Sequence, residues 1–158
     1  AAAAELHSRG ASVRVAIAGT GDLAYVERLQ EQVASCGMED VVHFIGFVSG
    51  TRKVSLYQAA DLFVLPTHQE NWGFVLLESL ACETGLMTTR SVDIWPELEA
   101  SGGAVIVERS ARAMADAIQP LLDQPSRLDT MGRRGREWVL SEQDADRVAE
   151  LYIQLYSD

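Results

Sequence analysis

The sequence predicts an α/β protein built on a Rossmann-like, doubly wound and mostly parallel sheet. Three observations carry that expectation. Short apolar runs of strand type alternate with helical stretches of ten to fifteen residues, the pattern of βαβ units. Several strand candidates run into turn-forming segments, such as "GTGD" at 19–22 and "GFVSG" at 46–50. The chain has 158 residues, 47% of them hydrophobic and 23% charged, which suits one domain spanning 1–158 with a core of its own.

The elements follow in order. "AAAAELHSRG" (1–10) reads as a helix that begins abruptly, so the chain is expected to be a fragment whose sheet lacks its first strand. "VRVAIAG" (13–19) is a strand, and "LAYVERLQEQVASCG" (23–37) has helical spacing, a glycine stop and Asp22 as its N-cap. "VVHFIG" (41–46) is a second strand and "TRKVSLYQAAD" (51–61) a helix. "LFVLP" (62–66) is a strand of buried type, followed by a helix starting near Trp72 or Gly73, and then by strands "LMTT" (86–89) and "AVIVE" (104–108). Helices "ARAMADAIQPLLD", "SRLDTMGRRGREWVL" and "QDADRVAELYIQLY" close the chain. No internal repeat or linker divides it.

Composition narrows the function. Net charge is −10, and Lys53 is the single lysine among thirteen basic residues, so no basic stripe offers itself to nucleic acid. Cys36 and Cys82 form neither a disulfide framework nor a metal-spaced pair, and a reduced cytoplasmic compartment is expected. His7, His43 and His68 form no metal constellation; His43 reads as a core or edge strand residue, and His68 borders the site proposed below. No apolar run approaches the roughly 20 residues of a membrane span. A G-x-S-x-G nucleophile elbow is absent, which argues against a serine hydrolase.

In a doubly wound sheet, ligands sit beyond the carboxyl ends of the strands. That rule selects 19–22, 46–50, 67–73 and 89–95, and draws attention to Glu70 and Glu78 in "QENWGFVLLESLACE" (69–83). A helix starting near Trp72 presents unpaired N–H groups and the positive end of its dipole, a phosphate site. Gly73 lets a ligand approach the backbone. Eight residues of helix span roughly 12 Å, comparable to an extended nucleotide sugar, with one carboxylate for the sugar hydroxyls and one for the ribose diol. From spacing alone a plainer reading is stronger: Glu78 as a rim residue, and Glu70 as an acid stabilised by the dipole.

"ADLFVLPTHQENWGFVLLESLAC" resembles the signature of the group 1 (family 4) retaining nucleotide-sugar glycosyltransferases of GT-B fold, with its E-x7-E motif. "VAIAGTGD", "VVHFIGFV", "LYQAAD" and "RLDTMGRRGREWV" are similar to further segments of that family in the same order, so the resemblance covers 13 to about 156. It implies that Glu70 touches the transferred sugar as the catalytic-site acid and that Glu78 holds the ribose hydroxyls. The backbone of Asn71, Trp72, Gly73 and Phe74 would bind sugar and diphosphate. Phe47 and Val48 would recognise the base, and Gly19 and Gly21 border the nucleotide. Trp72 replaces the usual Phe, and an aromatic there reads as packing.

The resemblance further implies a C-terminal donor-binding domain and sugar transfer from a UDP- or GDP-sugar to an acceptor hydroxyl. The nucleotide sugar is a substrate, and neither cofactor nor metal is expected. The acceptor-binding N-terminal domain and the family's diphosphate-neutralising Arg and Lys lie outside this chain, and Lys53 is misplaced to substitute. The isolated fragment is therefore expected to turn over poorly or not at all. Relatives that build polysaccharides work at the inner membrane face, which extends the expectation to peripheral membrane association of an intact enzyme. Two departures matter: Glu83 stands where the family has glycine and Gly85 where it has proline. A charge beside a diphosphate would repel it unless it points to solvent. Asp93 and Glu97, near Trp95, could face the cleft, though a loop–helix capping role is the stronger reading. A nucleotide-sugar epimerase of GT-B fold and a non-catalytic nucleotide- or protein-binding module remain as alternatives.

Overall fold

The structure, a computed structural model, describes residues 1–157. Its elements are α1 (Ala2–Ser8), β1 (Val15–Ala18), α2 (Leu23–Ser35), β2 (Val42–Gly46), α3 (Gly50–Ala59), β3 (Phe63–Leu65), α4 (Phe74–Ala81), β4 (Leu86–Thr89), α5 (Trp95–Ala100), β5 (Ala104–Val107), α6 (Ala111–Asp123), α7 (Pro125–Glu142) and α8 (Ala145–Leu155). Every strand pairing among them is parallel: β1 with β2, and β4 between β3 and β5. The α/β class therefore stands as the alternation of elements predicts. The chain divides into two compact units, one of residues 1–53 with 108–123, the other of 54–107 with 124 onward.

In the first unit β1 and β2 run side by side from Val15↔Val42, and the register shifts at Ala18, which faces Gly46. Asp22 caps α2 as expected, its Oδ1 accepting the Tyr25 N–H at 3.1 Å. Leu6 of α1 and Ala115 and Leu121 of α6 are buried. Arg9 ties these two helices by pairing with Glu5 at 2.8 Å and Asp116 at 2.7 Å.

In the second unit β4 is buried along its whole length, as befits a parallel strand with neighbours on both edges. Its core joins Leu76, Leu77 and Leu80 of α4 to Leu86, Val92, Leu98 and Val139. The helix α7 comes close to α4 because its own residues vanish at the contact. A Cβ on Gly135 would lie 2.5 Å from Leu80 Cδ2, and one on Gly132 would collide with the Glu83 carbonyl. Those two glycines of "MGRRG" are what the close approach demands.

The sequence reading places no helix at 95–100, where the structure has α5. Six residues are too few to display a helical period. The capping roles expected of Asp93 and Glu97 are also corrected. Ile94 is the N-cap of α5 and no side chain caps it, while Glu97 lies inside the first turn. Asp93 is occupied differently, its backbone N–H bonding the Glu70 carbonyl at 3.0 Å.

Candidate functional site

The loop from β3 to α4 is fastened to the carboxyl end of β4 by side chains the sequence supplies at regular intervals. Thr88 Oγ1 donates to the Leu65 carbonyl at 2.9 Å and Thr89 Oγ1 to the Thr67 carbonyl at 3.1 Å. Glu70 then makes a parallel bridge to Val92, its N–H bonding the Ser91 carbonyl at 2.9 Å. Glu70 is thus held in extended backbone outside the helix, and the roughly 12 Å helical ruler does not apply between the two glutamates.

Gly73 turns the chain from this bridge into α4. It is the N-cap, in the left-handed region at φ +67°, and no side chain caps the helix. A Cβ there would lie 2.8 Å from Leu76 Cδ1 and 3.0 Å from Glu70 Cγ. Glycine is required at this turn for both conformation and space. The same contact shows that the Glu70 side chain lies against the turn. The Leu76 N–H bonds back to the Gly73 carbonyl at 2.8 Å. The start of α4 so combines a turn with no capping side chain, the positive end of a helix dipole and an adjacent carboxylate. Gly73 itself is buried against Leu76 and Glu70, which corrects its expected role of opening the backbone to a ligand.

Asn71, Trp72 and Phe74 are exposed around this turn, Trp72 at 43% and Phe74 at 72% of their surface. The packing reading of Trp72 stands in part, since more than half of its surface is covered. Large aromatic faces left in water beside a turn are available to a ligand.

Glu78 is the fifth residue of α4, on the helix that turns Leu76, Leu77 and Leu80 inward, and is itself half-buried. Tyr57 Oη donates to Glu78 Oε2 at 3.2 Å. The Tyr57 ring is buried, standing edge-on to Phe63 with centroids 5.4 Å apart. Burial, and then the Glu78 charge, push the phenol well above its ordinary range, so it remains a donor into the alkaline range where a free tyrosine would ionise. Tyr57 was not among the residues singled out from the sequence. Its position in "LYQAAD", just ahead of a buried strand, was the only available signal.

Glu83 has φ +65°, in the left-handed region that glycine favours. Its N–H bonds the Leu80 carbonyl at 2.9 Å and the Thr84 N–H bonds the Ser79 carbonyl at 3.0 Å, closing α4 with a Schellman turn. The side chain is exposed at the opposite end of α4 from Gly73. This is the outward orientation under which no repulsion of a diphosphate at the Gly73 end is expected.

The remaining sequence candidates lie in the first unit, at the carboxyl ends of its strands. Gly19, at φ +134°, donates its N–H to the Gly46 carbonyl at 2.8 Å. A Cβ on Gly21 would meet only ordinary contacts, the nearest 3.8 Å from Val26 Cγ2. Phe47 is 70% exposed directly after β2, and Val48 is half-buried. His43 is exposed on β2, which corrects its reading as a core residue and leaves the edge reading, and His68 is exposed in the loop before Glu70. Among the described residues no three His, Cys, Asp or Glu side chains gather into a metal-binding group. No described helix is long and apolar enough to cross a membrane.

Comparison with known proteins places this chain in a family. The profile of "Glycosyl transferases group 1" matches residues 1–138. D-inositol 3-phosphate glycosyltransferase 2 of Catenulispora acidiphila is 32% identical over 144 residues, which cover 86% of this chain and 34% of the relative. The sucrose-phosphate synthase of Thermosynechococcus elongatus superposes with a TM-score of 0.82 at 25% identity, covering 99% of this chain and 42% of that one. Anabaena HepE, in complex with UDP and glucose, superposes at 0.84 with 17% identity, over 99% of this chain and 44% of its own. The strands and helices thus form the Rossmann-like α/β fold shared by GT-B glycosyltransferases. This chain spans about a third of the length of that curated relative. It belongs to the group 1 glycosyl transferases.

Proposed function

We propose that this chain is the donor-binding domain of a retaining glycosyltransferase that moves a sugar from a UDP- or GDP-sugar to an acceptor hydroxyl. The observation that carries the reading is the turn at Gly73. There the uncapped start of α4 and the Glu70 side chain meet. The helix start stabilises the diphosphate as charge develops on the leaving group, through fixed N–H dipoles that need no reorganisation. Glu70 positions the transferred sugar, with the backbone of Asn71, Trp72, Gly73 and Phe74 around it. Glu78 accepts hydrogen bonds from the ribose hydroxyls, Phe47 and Val48 meet the base, and Gly19 and Gly21 border the nucleotide. The reading draws support from HepE, whose structure holds UDP and glucose. Acceptor binding, and neutralisation of the diphosphate by further cations, belong in this proposal to other parts of a longer enzyme, as does any membrane association.

Calorimetric titration of the 158-residue chain with UDP, GDP and ADP tests it. One of the first two should bind, and Glu78→Gln should weaken that binding about tenfold or more without unfolding the protein, the usual weight of hydrogen bonds to a charged acceptor. Unchanged affinity in Glu78→Gln would remove the ribose role. A chain that binds none of the three would overturn the donor-binding reading.

A further inference from the structure

Three separate hydrogen bonds link four residues of the second unit, starting and ending on α4. Ser79 Oγ donates to the Thr84 carbonyl at 2.9 Å, and Thr84 Oγ1 donates to the Tyr57 carbonyl at 2.7 Å. Tyr57 Oη donates to Glu78 Oε2 at 3.2 Å. Ser79 is fully buried, Thr84 is 3% exposed and Tyr57 is 7% exposed. Buried polar groups cost free energy unless satisfied, so these bonds hold the Tyr57 backbone against the end of α4. The Tyr57 ring cannot swing away, because Phe63 stands edge-on against it and Thr84 fixes its backbone. Its hydroxyl is therefore a fixed donor beside the carboxylate of a half-buried residue.

We infer that Tyr57 is a positioning residue for ribose recognition: it holds the Glu78 carboxylate in the rotamer that accepts the 2′- and 3′-hydroxyls, and so makes the site select ribonucleotides over 2′-deoxyribonucleotides. The inference rests on the donor-binding reading of Glu78 given above. A carboxylate on a flexible side chain samples several rotamers, and a ligand must then bear the cost of ordering it. A hydroxyl that holds one oxygen of the carboxylate in place removes that cost in advance. A site built around a substrate hydroxyl also discriminates strongly against an analogue that lacks it.

The test is calorimetric titration of the chain and of Tyr57→Phe with UDP, 2′-deoxy-UDP, GDP and 2′-deoxy-GDP, with melting temperatures measured alongside. The wild type should prefer the ribonucleotide of whichever base it binds by roughly tenfold or more. Tyr57→Phe keeps the ring and its packing. It should lose about fivefold to tenfold in ribonucleotide affinity and clearly less in deoxyribonucleotide affinity, where only the 3′-hydroxyl contact is weakened, so that the ratio falls. Adding Tyr57→Phe to Glu78→Gln should cost little more, because Tyr57 acts through Glu78. Thr84→Val, which removes the Tyr57 tether without touching the hydroxyl, should shift the same ratio less. A purely structural role would lower both affinities, or the melting temperature, and leave the ratio intact; that result overturns the inference while ribonucleotide binding by the wild type upholds the donor site. Absence of any nucleotide binding by the wild type overturns both.

Discussion

Glu83 occupies a backbone conformation that a side chain resists. At φ +65° its Cβ crowds the following carbonyl, a strain of roughly 1 kcal/mol that glycine avoids. It persists because the Schellman hydrogen bonds at the end of α4 and the backbone of Gly132 on α7 leave the carbonyl nowhere else to go. Glu83→Gly should therefore stabilise the chain by about 0.5–1 kcal/mol, or about 1–4 °C in melting temperature for a domain of this size. Nucleotide affinity should be unchanged, since the residue lies at the far end of α4 from Gly73. A melting point that fails to rise would mean the strain is relieved in a way the backbone does not show. At this scale the sequence was partly legible. It marked Glu83 as standing in a glycine's place, but through its charge; the operative property is its φ, which is set by the Schellman turn on Leu80 and Ser79 and by the Gly132 backbone packed against its carbonyl. Tyr57 was not singled out because its partner Glu78 lies 21 positions away. No local pattern marks such a pair.

Helix α4 carries both the candidate site and the core, and its position depends on α7. The contact is made through Gly132 and Gly135, with Gly103 below them; a Cβ on Gly103 would lie 2.5 Å from Gly135 Cα. At Gly132 a methyl group meets the Glu83 backbone, which cannot move aside, and at Gly135 it meets the Leu80 side chain, which is fully buried and has no free space to turn into. Gly132→Ala and Gly135→Ala should each cost about 2–3 kcal/mol, near the top of the range for overpacking. Arg133→Ala, at an exposed position between them, should stay within about 0.5 kcal/mol. Denaturant unfolding of the three variants measures this, and glycine variants no worse than Arg133→Ala would show that α7 is not seated against α4 as described. Elements with a sustained period were read from the sequence to within a few residues, including α4, whose start at Gly73 combined a glycine with the onset of an apolar run. The short α5 was missed because it offers neither a period nor a side-chain cap.

For the molecule as a whole, the alternation of strand and helix made the α/β class legible. The pairing of β1 with β2, and of β4 with both β3 and β5, was not, because the choice of strand neighbour is made between residues distant in sequence. Net charge was readable outright and has its own consequence. A chain carrying −10 repels a diphosphate at long range, while the attraction offered by the start of α4 comes from N–H groups and a dipole that fade within one turn. Salt screens these unequally. The Debye length falls from about 30 Å at 0.01 M to about 10 Å at 0.1 M, which removes most of the repulsion and little of the short-range attraction. Phosphate sites assembled from lysine and arginine behave oppositely, losing affinity as salt displaces the ligand from the cations. Titration of this chain with UDP and GDP between 0.01 and 0.3 M salt should therefore show affinity rising by about twofold to fivefold for the one that binds, then levelling. A tenfold loss over the same range would mean that cations rather than backbone dipoles hold the phosphates, and the anion site at Gly73 would have to be given up.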